Sequence, residues 1–240
     1  LTGSEADTFI RLTADAVKGM NDQSVEAIED GSAQQVTSGE YEGDSSPPTL
    51  DTFDLDMHNG VLRMTFSETV LASSVQSTKF SIANKAVGEV GHAAVSLTVD
   101  STASAADHTV VTIQLSDDDM NTIKEDSTLA QDVGSTYLSM SADSVRDMSD
   151  NSIVSTFESV TTYTADEKSP ELEDFSVDLN AGKIYLTFSE TVKSSTLDTT
   201  AIVLSNGLEE TLTLQQGSDA TVVPATVVEF DDERGRTHAE

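Results

Sequence analysis

The side chains best equipped for chemistry in this sequence are clustered oxygen donors. Asp147, Asp150 and Asn151 lie close together in Val145-Arg-Asp-Met-Ser-Asp-Asn-Ser-Ile153, a run that reads as a turn between two strands. Calcium takes roughly six to eight oxygen ligands, and clustered Asp and Asn side chains supply them. The same residue types also close turns by accepting hydrogen bonds from their own backbone. Two readings therefore stand side by side: a self-capped turn, which is the commoner use, or a calcium ion held by Asp147, Asp150 and Asn151. A related run, Val17-Lys-Gly-Met-Asn-Asp-Gln-Ser-Val25, carries Gly19 and Gln23 in place of Asp147 and Asn151, so a metal site there would be weaker.

Other acids invite the same question. Asp54, Asp56, His58 and Asn59-Gly60 resemble part of a calcium loop, but the glycine is one position late and the flanking pattern is a strand. The polar face of a hairpin explains them better. Glu42, Asp44, Asp166, Glu167, Glu171 and Glu173 fall in two Ser/Pro linkers, where they either solvate the linker or hold cations between domains. Glu68 and Glu190 each end a Phe-Ser-Glu strand. A catalytic carboxylate works with a partner at a defined distance. No such partner stands out for either, so a structural hydrogen bond or a cation contact is expected.

Composition narrows the function classes. Lys and Arg number 12 against 43 Asp and Glu, a formal net charge of −31. So negative a surface repels phosphate backbones and anionic membranes. No apolar run reaches the length of a membrane span. Cysteine is absent, which excludes disulfides, thiolate metal sites and thiol nucleophiles. His58, His92, His108 and His238 are scattered, and no zinc-protease, nucleophile-elbow or phosphate-loop motif occurs. With no Trp and four Tyr, stacking platforms for sugars or single strands are scarce. Ser45-Ser-Pro-Pro48 could accept O-linked sugar. The chain reads as a non-enzyme. No signal peptide is visible at Leu1, and the first residues look like the middle of a domain, so a piece of a longer protein is expected.

The elements that position these acids recur. Leu50-Asp-Thr-Phe-Asp-Leu-Asp-Met-His-Asn-Gly-Val-Leu-Arg-Met-Thr-Phe-Ser-Glu-Thr-Val70 aligns without a gap to Leu172-Glu-Asp-Phe-Ser-Val-Asp-Leu-Asn-Ala-Gly-Lys-Ile-Tyr-Leu-Thr-Phe-Ser-Glu-Thr-Val192. Phe80-Ser-Ile-Ala-Asn84 then matches Ile202-Val-Leu-Ser-Asn206. A second pair matches Phe9-Ile-Arg-Leu-Thr-Ala-Asp to Tyr137-Leu-Ser-Met-Ser-Ala-Asp. The period is roughly 120 residues, enough for each unit to hold its own core. The expected organisation is the end of one repeat (1–45), a whole repeat (46–168) and the front of a third (169–240).

Within a repeat the apolar residues alternate. Phe53, Leu55 and Met57, then Leu62, Met64 and Phe66, form two strands joined by a two-residue Asn59-Gly60 turn. Phe175, Val177, Leu179, Ile184, Leu186 and Phe188 repeat the stripe. Further strands are expected near 79–82, 95–99, 109–115, 137–140 and 152–163. That makes about seven, as in an immunoglobulin-like sandwich. Residues 116–125 predict a short helix capped by Ser116, with three Asp at its positive end. Met120, Ile123 and Leu129 would face the core and the helix would cross between the sheets. The fold class is all-β, in tandem immunoglobulin-like β-sandwich domains. The stretch 230–240 fits the repeat poorly.

Pro-x-Leu, an alternating strand and Leu-x-x-Thr-Phe-Ser-Glu-Thr-Val, in that order, with Thr-Phe-Ser-Glu-Thr-Val intact in both copies, resemble the bacterial immunoglobulin-like repeats of surface-layer and adhesin proteins. They also resemble repeats of giant cell-surface proteins in cyanobacteria and marine algae. Val145-Arg-Asp-Met-Ser-Asp-Asn-Ser-Ile153 is similar to that family's Val-x-Asp-x-x-Gly-Asn-x-Val segment, with Asp150 where glycine is usual. The resemblance covers about residues 9–214. It implies an extracellular or cell-surface location and a structural role as an extended strut in a surface layer, appendage or adhesin. Partners would be other copies of itself, other surface or fibre proteins, or glycans. The alternatives are an adhesion module acting through loops 87–94 and 102–107, or an accessory region of a larger secreted enzyme.

Overall fold

The computed structural model describes residues 3–207, 211–214, 220–222 and 227–231. The first segment holds a short two-stranded ladder, β1 (Phe9–Ile10) against β2 (Gln34–Gln35). Next come β3 (Leu50–Asp56), β4 (Val61–Val70), β5 (Phe80–Ala83), β6 (Ala94–Ser96), β7 (Thr102–Ala103) and β8 (His108–Gln114). After helix α1 (Asp117–Glu125) follow β9 (Tyr137–Met140), β10 (Thr156–Ser159) and β11 (Thr162–Thr164). The last segment has β12 (Leu172–Asp178), β13 (Lys183–Phe188), β14 (Val203–Ser205), β15 (Thr211–Thr213), β16 (Ala220–Val222) and β17 (Val227–Asp231). The protein is predominantly β, in several sheets, and among the described residues no helix is long and apolar enough to cross a membrane.

The central strands form two sheets, β10-β9-β5-β6 and β11-β3-β4-β8-β7. Both feed one core. Phe53, Leu55, Leu62, Met64, Val111 and Ile113 enter it from the larger sheet, and Phe80, Ile82, Leu138 and Met140 from the smaller. The alternation in the sequence explains this, because every second side chain of β3 and β4 points inward. Helix α1 links the two sheets. The Ser116 hydroxyl accepts a hydrogen bond from the Asp119 amide, Ile123 is fully buried, and Met120 packs at the edge of the core. Asp119 does more than favour the helix dipole. It is buried, and its carboxylate accepts hydrogen bonds from the Thr98 amide, the Thr98 hydroxyl and the Ser101 hydroxyl, which fastens the loop before β7.

Several details differ from expectation. The hairpin between β3 and β4 is a four-residue loop, with Asp56 opposite Val61. Asp56 accepts hydrogen bonds from the amides of His58 and Asn59 and from the Asn59 side chain, and Gly60 takes φ +66°. A carboxylate that caps the loop so completely favours the longer turn. Asp178 does the same for the amides of Asn180 and Ala181, with Gly182 at φ +68°. The single strand expected over 152–163 is two. Val160 is buried, its amide bonds to the Thr136 carbonyl, and the next amide, of Thr161, bonds to Phe53. The chain thereby changes sheets at Val160. Residues 102–103, expected in a loop, are strand β7, and Phe230 and Asp231 end strand β17. The rest of 232–240 lies outside the described residues.

The sequence repeat is visible in the hydrogen bonds. The Val36 amide bonds to Thr8 as that of Val160 does to Thr136, and Val25 to Val17 as Ile153 does to Val145. A β-bulge falls between Leu50 and Thr52 and again between Leu172 and Asp174. The equivalent stripes are nonetheless buried unequally. Phe53 and Leu55 are 0% and 1% exposed, whereas Phe175 and Val177 are 54% and 40% exposed. Among the described residues the second core holds Ile184 and Leu186, with Phe188, Val192, Leu197, Ile202, Leu204 and Leu214 against them. Truncating the two phenylalanines should therefore have unequal effects. Phe53→Ala is expected to cost about 3–5 kcal/mol in urea unfolding, and Phe175→Ala at low protein concentration less than about 1 kcal/mol. Equal losses would mean that the two stripes are equally packed.

Candidate functional site

Two acidic pairs, repeated along the chain, sit where the linkers meet strand ends. In the first, the linker residue Asp44 approaches Glu68 near the end of β4. The isolated bridge between Val70 and Asp147 brings Asp147 alongside. Carboxylate oxygens of Asp44, Glu68 and Asp147 all lie within 4.8 Å of one another. Asp147 is buried and organises its own turn. One of its oxygens accepts from the amides of Ser149 and Asn151, both at 2.8 Å, and the other from the Asn151 side chain at 2.8 Å. Asn151 also donates to the Asp44 backbone carbonyl at 3.2 Å, tying the turn to the linker.

The trio Asp147, Asp150 and Asn151 is thus only partly convergent. Asp147 and Asn151 come together, while Asp150 occupies the turn position at φ +69° and pairs with Arg146 at 3.0 Å. Asp150 suits the left-handed conformation there, since only Gly, Asn and Asp adopt it at low cost. Asp44 and Glu68 complete the acidic group instead. Asp44 is one of the linker acids that either solvate the linker or hold cations, and nothing in the sequence joins it to Glu68 or Asp147. The crowding has an electrostatic consequence: burial, then the charges of Asp44 and Asp147, raise the Glu68 carboxyl above its ordinary value.

The second pair is Asp166 and Glu190, displaced from Asp44 and Glu68 by the same step that separates Leu50 from Leu172. Here a cation is present in the chain itself. Lys124, in the last turn of α1, reaches Asp166 at 2.7 Å and Glu190 at 2.6 Å. One turn earlier on the helix, the Asn121 side chain accepts from the Thr191 amide at 3.0 Å and from the Thr191 hydroxyl at 2.9 Å. The lysine and both acids are largely shielded, with side chains 18%, 20% and 13% exposed. Burial opposes the charge on Lys124, but the hydrogen bonds to Asp166 and Glu190 outweigh it and raise its pKa. Burial likewise opposes ionisation of Asp166, and Lys124 outweighs it, so that pKa is lowered.

Around this clasp a cleft of about 460 Å³ is lined by the 57–60 loop, α1 and the residues that open the last segment. His58 stands 3.9 Å from Asp166 at its rim. The arrangement is suited to docking one segment on another. No protein-family model matches the chain, and no curated protein resembles it closely enough to count as a relative.

The sign of each charge effect follows from these shifts. Asp166, lowered from 3.8, contributes stability that is present above that value and lost as pH falls through its folded pKa. Lys124, raised from 10.5, contributes stability that is present below that value and lost as pH rises through its folded pKa. Glu68, raised from 4.5, contributes stability that is present below that value and lost as pH rises through its folded pKa, so its ionised form at neutral pH is a burden. The two equivalent glutamates should accordingly respond in opposite ways. In thermal melts at pH 7 without divalent cations, Glu68→Gln is expected to raise the midpoint, with the gain vanishing near pH 3. Glu190→Gln is expected to lower it by the equivalent of about 1–2 kcal/mol, between the effects of exposed and buried ion pairs. Shifts of the same sign for both would contradict the charge assignment.

Proposed function

We propose that this chain is a stretch of a tandem array of immunoglobulin-like β-sandwich units that serves as a non-catalytic strut in an extracellular surface layer, appendage or adhesin. Residues 46–168 form the whole unit, and 1–45 and 169–240 are the end and the beginning of its neighbours. The observation that carries the reading is the parallel pairing of β11 with β3, in which Tyr163 lies opposite Leu55. In a parallel pair the start of one strand and the end of the other lie at opposite ends of the sheet. The chain therefore enters the central unit at one end and leaves at the other. Units threaded in this way transmit tension through the first and last strands of each sheet, and the Lys124 clasp braces the exit against the next unit.

The surface location rests on the acidic composition and on the family resemblance of the repeated Thr-Phe-Ser-Glu-Thr-Val segment. A strut requires an elongated particle. For a compact 240-residue chain the radius of gyration would be roughly 18 Å. Small-angle scattering from dilute protein is expected to give a clearly larger radius and a rod-like distance distribution. A radius near the compact value would remove the strut.

Calcium enters this function at Asp44, Glu68 and Asp147, whose three carboxylates supply part of the oxygen shell the ion needs. A divalent cation there would offset the burial and the charges of Asp44 and Asp147 that together raise Glu68. Millimolar calcium is expected to raise the melting midpoint relative to chelator, and Glu68→Gln to lose most of that increment. Identical midpoints with calcium and with chelator would take the ion out of the function.

A further inference from the structure

The joint between the central unit and the last segment is tied down on both sides. On the central side the Met57 amide donates to the Thr164 carbonyl. On the far side the Glu171 amide donates to the Ser189 hydroxyl and the Ser189 amide to the Glu171 carbonyl. The end of the linker is thereby fixed to the residues that follow β13. Residues 165–170 lie between these ties. Parts of a chain joined in this way move relative to one another by default, unless a large hydrophobic interface holds them.

Among the described residues the apolar side chains of the two parts form separate clusters, one around Phe53 and Phe80 and one around Ile184 and Leu186. Two clefts, of about 460 and 470 Å³, open at the joint, and Lys124 lines both. The polar contacts that cross it centre on α1. Asn121 and Lys124 are three residues apart, so they share one face of the helix. Asn121 accepts from the Thr191 amide and hydroxyl, and Lys124 reaches both Asp166 and Glu190. The helix thus grips two consecutive residues of the last segment and one of the linker. It does so from a firm base, since Ile123 is fully buried and Ser116 caps the first turn. The His58 ring adds a weaker contact, its Nδ1 accepting from the Glu167 amide at 3.4 Å.

We infer that Lys124 is the latch of a hinge between the two parts. With its ammonium between Asp166 and Glu190, the last segment is held at one angle to the central unit. Without it, residues 165–170 absorb changes in φ and ψ, as the few residues of a hinge do. The placing of the two acids makes this a latch and not merely an ion pair. Asp166 belongs to the linker and Glu190 lies beyond it, so one cation anchored on α1 holds both. Shielded charges of this kind contribute little net stability, because losing water offsets much of their attraction, and their use is to select one arrangement. The inference rests on the strut reading above and adds the means by which the strut keeps its direction at this joint.

Distances between paired spin labels test it. The chain has no cysteine, so labels attach only at introduced ones. Val87→Cys in the central unit and Leu179→Cys in the last segment replace side chains that are 80% and 85% exposed. Double electron–electron resonance in the presence of chelator is expected to give one narrow distance for this pair. Lys124→Met is expected to lose that distance and give a broad distribution. Lys124→Met combined with Glu190→Gln leaves fewer shielded charges without a partner, and it is expected to give the same broad distribution. A second pair within the central unit, Val87→Cys with Met148→Cys, is expected to stay narrow in every background. A broad distribution across the joint with Lys124 in place, or a narrow one in either variant, would overturn the latch. Broadening of the second pair would make Lys124 a support of the central core and overturn it equally. Scattering keeps the two ideas separate. An elongated particle whose joint stays narrow without Lys124 loses the latch and keeps the strut, whereas a radius near the compact value removes the strut whatever the labels show.

Discussion

The central core depends on a contact between strands far apart in sequence. Phe53 and Leu55 are buried in a core to which both sheets contribute, and β11, reached after both sheets and the helix have been laid down, returns to lie beside β3 and joins the end of the unit to its beginning. Burying a large apolar side chain contributes about 1.5–3 kcal/mol. Phe175 and Val177 carry the same residue pattern but are 54% and 40% exposed, and among the described residues β12 pairs with β13 alone. The unit is therefore indivisible in its energetics. Its first and second halves each present an apolar surface that the other must cover, and neither half contains a full core.

That dependence marks the boundary of what the sequence makes legible. Alternation along Phe53, Leu55 and Met57 fixes which face of the strand is apolar, and the same alternation in Phe175, Val177 and Leu179 fixes it again. It identifies the face without identifying the cover. The helix over 117–125 was legible because capping, acidic start and apolar spacing agree locally. The switch of sheets at Val160 was not, because residues 152–163 are uniformly strand-like and the switch is dictated by what Val160 and Thr161 bond to: Thr136 in one sheet and Phe53 in the other. The hairpin loop was misjudged for a related reason. Asn59-Gly60 favours a tight turn, but Asp56 offers three hydrogen bonds to a longer one.

The acidic sites illustrate the same limit in three dimensions. Asp147 and Asn151 were recognisable as partners because they are close in sequence and serve one turn. In the sequence Asp44 is a linker acid and Glu68 a strand end, with nothing to join them. Only the fold brings them together with Asp147. Their repeats, Asp166 and Glu190, enclose Lys124, whereas Asp44 and Glu68 enclose another acid. The same two side chains thus experience attraction at one junction and repulsion at the other. Glu68 is raised by burial first and by the charges of Asp44 and Asp147 after it, whereas at the other junction Lys124 outweighs the burial of Asp166 and lowers it.

Charge also constrains how such units can be joined. At a formal −31, two copies of the chain repel over long range, so contact between them must be specific and short-range to prevail. Lys124 exemplifies the device: one of only 12 basic residues, withdrawn from solvent, is spent on two acids of the neighbouring segment. Strand pairing is the other device available, because backbone hydrogen bonds and apolar packing carry no net charge.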